Sequence, residues 1–99
     1  VEISQIPAHE WEQWVEENDG VVLDVREPSE WELGTLPGAI KISLSELPSS
    51  LDSLDSKRPT LVVCRSGGRS LQAAMYLTMC GFEKAANMAG GMQALGMQP

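Results

Sequence analysis

The sequence predicts an α/β domain: a mostly parallel sheet of five strands covered by helices on both faces, in three layers. Three observations predict it. Residues 21–25 and 61–63 are continuous β-branched apolar runs, the first broken only by Asp24. Such runs mark strands buried on both faces, as a parallel sheet requires. Stretches of helical periodicity fall between the strand-like runs, and strand–helix–strand succession joins parallel neighbours by crossover. Glycine and proline stand at the junctions. The chain has 99 residues, enough for one core. No internal repeat or low-complexity stretch divides it, so residues 1–99 are expected to form a single domain.

In chain order, residues 1–6 read as the first strand. Pro7 suits the first turn of a helix, where a missing N–H costs nothing. Ala8, Trp11, Trp14, Val15 and Asn18 recur at helical spacing, with Glu10, Glu12, Glu16 and Glu17 on the other faces. Asp19-Gly20 ends that helix. Residues 21–25 form the second strand. Asp24 and Arg26 stand at its carboxyl end, the edge where sites form in open α/β sheets. Asp24 is expected to hold loop N–H groups or to pair with an arginine, as a buried carboxylate must. A short helix starts at Pro28, with Trp31 on its buried side and Gly34 as its stop. Leu36-Pro37-Gly38 is a turn, and residues 39–42 form the third strand. Within residues 43–54, Ser45 caps a short helix that Pro48 limits. Lys57-Arg58-Pro59 is a polar link to the fourth strand, residues 61–63. Residues 70–80 form a helix rich in Leu, Ala and Met, apolar on more than one face and therefore largely buried, with Gly81 as its stop. Residues 84–88 form the fifth strand, and Gly90-Gly91 opens a last helix that ends near Gly96.

Composition excludes several functions. The formal net charge is -7, and ten of the fourteen acidic residues lie in residues 1–32, where Arg26 is the only base. Nucleic acid and anionic membrane are therefore not expected as partners. No apolar run approaches the ~20 residues of a membrane span, and no signal-like segment opens the chain. A cytoplasmic placement is expected. The two cysteines have neither metal spacing nor a disulfide framework. A helical rise of ~1.5 Å per residue separates Cys80 from Cys64 by roughly 18 Å, beyond disulfide reach. Cys80 is expected to be a small buried apolar residue at a helix end. The single histidine, His9, lies at a helix start far in sequence from Cys64 and is expected at the surface. No metal and no cofactor are expected.

The chemistry concentrates in Cys64-Arg65-Ser66-Gly67-Gly68-Arg69-Ser70. A buried strand stops at a cysteine, and a loop of small residues then opens a helix. Inward N–H groups and the helix N-terminus make an anion site, and the same field favours the thiolate. Gly67 and Gly68 are expected to allow turns that a Cβ would block. Arg65 and Arg69 can bind an anion, although Arg69 can equally tie the loop to Asp24 or Glu27. Ser66 and Ser70 are hydrogen-bonders, Ser70 placed either to cap the helix or to bond the sulfur. Nucleotide loops of the G-x4-G-K-[ST] and G-x-G-x-x-G kinds are absent, as is C-x-x-C. Cysteine-based phosphatases ring a phosphate with five residues between cysteine and arginine. Here four residues separate Cys64 from Arg69, a tighter ring that suits a single sulfur atom better.

The chain resembles the rhodanese-like sulfurtransferases along nearly its whole length. Leu23-Asp24-Val25-Arg26-Glu27-Pro28-Ser29-Glu30-Trp31 resembles the family's first signature. Gly34-Thr35-Leu36-Pro37-Gly38-Ala39-Ile40 resembles its second, usually Gly-His-Ile-Pro-Gly-Ala. The Cys64 loop matches the six-residue active-site loop, and Gly81-Phe82 and Gly90-Gly91-Met92 match the closing segments. The resemblance implies a rhodanese-like three-layer fold and a mechanism. Cys64 would take the outer sulfur of thiosulfate or a related small anionic donor as a persulfide, and pass it to cyanide, a thiol or a protein. A carrier or regulatory module, charged and discharged by protein partners, is the alternative. Thr35 stands where the family usually has His, and Leu95 where Trp is common. Both are expected at packing or rim positions. A monomer or weak dimer is expected.

Overall fold

The computed structural model describes residues 2–96. Five strands, β1 (Ser4–Pro7), β2 (Val21–Asp24), β3 (Ile40–Lys41), β4 (Thr60–Val63) and β5 (Ala85–Ala89), form one sheet in the order β1-β5-β4-β2-β3. Every neighbouring pair is parallel. The helices are α1 (Trp11–Asn18), α2 (Pro28–Trp31), α3 (Leu47–Ser50), α4 (Gly68–Met79) and α5 (Gly91–Ala94), with 3-10 turns at Ala8–Glu10, Leu44–Glu46 and Leu51–Ser53.

Strand alternation divides the core into two layers. Leu23, Val25, Val62 and Cys64 point to one face and pack with Leu47 of α3, Ala73, Ala74 and Leu77 of α4, and Phe82. Val22, Leu61, Val63, Ala86 and Met88 point to the other, against Met92 of α5 and the partly buried Trp11, Trp14 and Val15 of α1. This is the expected three-layer arrangement, and it explains why β2 and β4 carry no polar alternation: both of their faces are covered. Because all strands run the same way, their carboxyl ends share one edge. That edge carries the Cys64 loop after β4, the Asp24–Arg26 segment after β2 and the Gly90-Gly91 turn after β5.

Several local expectations are corrected. The expected first strand begins at Val1, which lies outside the described residues; β1 starts at Ser4 and keeps Pro7 as its last residue. A 3-10 turn then precedes α1, so the helix begins four residues later than Pro7 suggests. The third strand is only two residues long. The α4 helix starts at Gly68 rather than Ser70, which puts Arg69 and Ser70 in its first turn. That helix is not apolar-buried on several faces. Ser70, Ala73, Ala74 and Leu77 are buried while Met75 and Met79 are exposed. Small alanines let the backbone approach the sheet, and the methionines face outward. Cys80, expected buried, is exposed: it is the cap residue just past the end of α4, three residues beyond Leu77, the last buried position of the helix. Trp31 is half-buried and lines a surface groove of about 400 Å³ with Pro28, Lys41 and Ser45. The last helix ends at Ala94, short of Gly96. No helix among the described residues is long and apolar enough to cross a membrane.

Candidate active site

Alternation along β4 turns Val62 and then Cys64 toward α4. Cys64 is 1% exposed, at the floor of the loop. Gly67 adopts φ +105°, a conformation that favours glycine, and this folds the chain back over the sulfur. Gly68 has an ordinary φ and open space where a Cβ would stand, so the turn needs only the first of the two glycines. Three donors converge on Cys64 Sγ: the Gly67 N–H at 3.1 Å, the Ser70 N–H at 3.3 Å and the Ser70 hydroxyl at 3.3 Å. Burial pushes the thiol pKa up. The bonds from the Ser70 hydroxyl and N–H, the Gly67 N–H and the Ser66 backbone outweigh it and hold the thiol below its ordinary 9.0. The thiolate is therefore favoured at the end of β4, in the positive field at the start of α4. Ser70 bonds the sulfur and makes no side-chain cap for the helix.

The two loop arginines have different surroundings. Arg69 makes a bidentate pair with Glu30 of α2 at 2.7 and 2.9 Å. Its partner is neither Asp24 nor Glu27. Those expected partners lose to Glu30 because α2 turns the Glu30 side chain toward α4. Glu27 instead caps α2 reciprocally with Glu30. The Arg69 guanidinium holds the Glu30 carboxyl down at about 2. Arg65 is exposed, and among the described residues the arginine ion pairs are made by Arg26, Arg58 and Arg69. Ser66 and Gly68 lie on the exposed rim of the loop.

Asp24 and Arg26 brace the loop from β2. Both are fully buried and joined by several hydrogen bonds of 2.8–3.1 Å. Arg26 also donates to the Gly34 and Glu30 carbonyls at 2.7 and 3.4 Å, so α2 and its Glu30 are held from beneath. The Asp24 reading as an arginine partner holds. His9 is exposed and faces Glu10 at 3.5 Å.

Three contributors were not read from the sequence. Gly91, at φ +62°, lets the Met92 and Gln93 N–H groups reach the Cys64 and Arg65 carbonyls, each at 2.9 Å. Asn87 of β5 is 3% exposed and bonds Ser70, Gly67 and Gln5. Glu30 holds Arg69. The available signal was Asn87 itself, a polar residue within the Ala-Ala-Asn-Met-Ala strand, since a buried amide demands partners.

A family model described as "Rhodanese-like domain" matches residues 7–98. The chain belongs to the rhodanese-like domain family. A protein from Allochromatium vinosum named "Sulfurtransferase" is 30% identical over 93 residues, covering 93% of this chain and 87% of that one. The "Rhodanese-like/PpiC domain-containing protein 12, chloroplastic" of Arabidopsis thaliana is 35% identical over 85 residues, 82% of this chain. The match spans only 28% of that protein's length. A crystal structure of a rhodanese-like domain protein from Staphylococcus aureus superimposes with a TM-score of 0.86 at 31% identity, covering 97% of this chain and 94% of that one. The rhodanese-like fold accommodates both departures from the usual signatures: Thr35 is partly exposed, and Leu95 packs against the α1–α5 side of the core.

Proposed function

We propose that this rhodanese-like domain is a sulfurtransferase that carries sulfane sulfur on Cys64. The observation that carries the reading is the convergence of two N–H groups and one hydroxyl on Sγ at 3.1–3.3 Å. They stabilise the attacking thiolate and the same thiolate when it leaves again. In the first half-reaction the Cys64 thiolate attacks the outer sulfur of a donor such as thiosulfate. The donor's S–S bond breaks, sulfite departs with the electron pair as a dianion, and the transferred sulfur keeps its negative charge as the outer sulfur of the persulfide. In the second, cyanide or a thiolate attacks that sulfur, and Cys64 leaves as thiolate. The sulfurtransferase name of the Allochromatium relative supports the same reaction class.

A second reading is favoured by the charge around the loop. Thiosulfate is a dianion. The Glu30 carboxylate neutralises Arg69, and among the described residues Arg65 has no carboxylate partner. One exposed cation holds a dianion weakly. A thiol persulfide, or a partner protein that delivers one, needs less positive charge and fits the domain as a sulfur carrier.

Intact mass measurement after incubation with thiosulfate tests the proposal. The expected result is a gain of one sulfur, ~32 Da by atomic mass, absent in Cys64→Ser and discharged as thiocyanate by cyanide. Loading by a thiol persulfide but not by thiosulfate selects the carrier reading. Loading by neither removes both.

A further inference from the structure

The Ser70 hydroxyl carries one proton and faces two acceptors. Cys64 Sγ lies 3.3 Å away, and Asn87 Oδ1 is closer still. A hydroxyl donates once, so it serves one of the two at a time. The Asn87 amide cannot simply be turned over. Its Nδ2 donates to the Gly67 carbonyl at 3.3 Å and to Gln5 Oε1 at 2.9 Å, and a carbonyl only accepts. Oδ1 therefore faces Ser70 as an acceptor. Ser70 and Asn87 are 0% and 3% exposed, so solvent does not supply a substitute donor.

We propose that Asn87 is a positioning residue that draws the Ser70 hydroxyl proton away from Cys64 and yields it only while the sulfur is negatively charged. In the thiol, Cys64 S–H can point to Ser70 Oγ while Ser70 donates to Asn87, and every group is satisfied. In the thiolate, the hydroxyl swings to Sγ as a third donor, at the expense of its bond to Asn87. Once a persulfide forms, the charge sits on the outer sulfur. Sγ is then a neutral, weakly accepting sulfur, and the hydroxyl returns to Asn87. When an acceptor takes the outer sulfur, the S–S bond breaks with its electron pair on Sγ, and the hydroxyl swings back. No proton is transferred; only the O–H direction changes.

The charged groups around this network are Arg65 in the loop, Arg69 on α4 with Glu30 on α2, and the Asp24–Arg26 pair after β2. The α5 and β5 segments contribute none. Substituting Asn87 alters no charge. The persulfide stages of this cycle rest on the sulfurtransferase reading, whereas the thiol stage does not.

The test is a pH titration of Cys64 in a Cys80→Ala background without any sulfur donor, read by thiolate ultraviolet absorbance and by the rate of alkylation with iodoacetamide. Freeing the hydroxyl in the near-isosteric Asn87→Leu should lower the titration midpoint and give about fivefold more thiolate at a pH below it, the size of one modest hydrogen bond. Ser70→Ala should raise the midpoint, and Ser70→Ala with Asn87→Leu should titrate like Ser70→Ala alone. Asn87→Ala serves if the leucine variant does not fold, with folding checked by circular dichroism. An unchanged or raised midpoint on substituting Asn87 beside an intact Ser70 overturns the proposal. So does an equal shift in the Ser70→Ala background, which would assign the effect to the Gly67 carbonyl. Failure of sulfur loading in the mass experiment would remove the transferase reading and leave this titration standing.

Discussion

Gly91 shows how little room the cysteine loop has. A Cβ built there would meet the Arg65 carbonyl carbon and oxygen at 2.5 Å and the Cys64 oxygen at 2.6 Å, all backbone atoms, and φ is +62°. No rotamer relieves a clash with backbone. Gly91→Ala is expected to destabilise the fold by about 2–3 kcal/mol, as overpacking and a left-handed conformation combine, measured by urea unfolding. It should also lower the rate of sulfur loading, because the displaced atoms are backbone of Cys64, which carries the nucleophile, and of Arg65, which follows it. Normal loading at reduced stability would mean that α5 seats the loop without setting its geometry.

At the scale of elements, the site is a meeting of β2, α2, β4, α4 and α5, and the β2–α2 joint carries its deepest charge. Asp24 and Arg26 are both fully buried, and the guanidinium is further satisfied by two carbonyls. Removing one partner leaves a buried charge uncompensated. Asp24→Ala is expected to cost about 3–5 kcal/mol in unfolding free energy. The near-isosteric Asp24→Asn, which keeps some hydrogen bonding, should cost less. If Asp24→Ala unfolds at the wild-type denaturant midpoint, the pair is not what holds α2 under the loop. The element boundaries that sequence misjudged have the same origin. Nothing local distinguishes Gly68 from Ser70 as the start of α4. The helix begins where Gly67, at φ +105°, turns the chain to bring N–H groups onto Sγ.

At the scale of the whole molecule, the Glu30–Arg69 pair couples the loop to acid stability. The Glu30 carboxyl is lowered from 4.5 to about 2 by Arg69. A carboxyl depressed in the folded state stabilises above its unfolded value and loses that contribution as pH falls toward the folded one. The full shift corresponds to about 3 kcal/mol. Side-chain exposures of 19% and 34% let water screen it, to about 1 kcal/mol. Glu30→Gln should therefore be about 1 kcal/mol less stable than wild type at pH 7, with the gap closing between about pH 4.5 and 2. Chemical denaturation across that range measures it. A gap that stays constant to pH 2 would mean that the two residues contribute packing rather than charge.

Continuous apolar runs at residues 21–25 and 61–63, helical spacing between them and glycine stops were enough to determine a three-layer α/β domain. The count from Cys64 to Arg69 set a tighter ring than that of the cysteine phosphatases, and the signatures around it pointed to the rhodanese-like family to which the chain belongs. These are legible because burial on both faces and ring size are written in local residue order. Which arginine pairs with Glu30, which glycine must turn and which polar side chain reaches the sulfur were decided only by tertiary structure. Arg69 meets Glu30, 39 residues away, and Asn87 meets Ser70, 17 residues away. Cys80, read as buried from its chemistry, proved exposed because it lies past the end of α4, beyond the last helical position that packs on the core. Partners of buried polar groups are chosen by how strands and helices are brought side by side. No spacing along the chain encodes that choice, because it arises only when β2, β4 and β5 end at one edge.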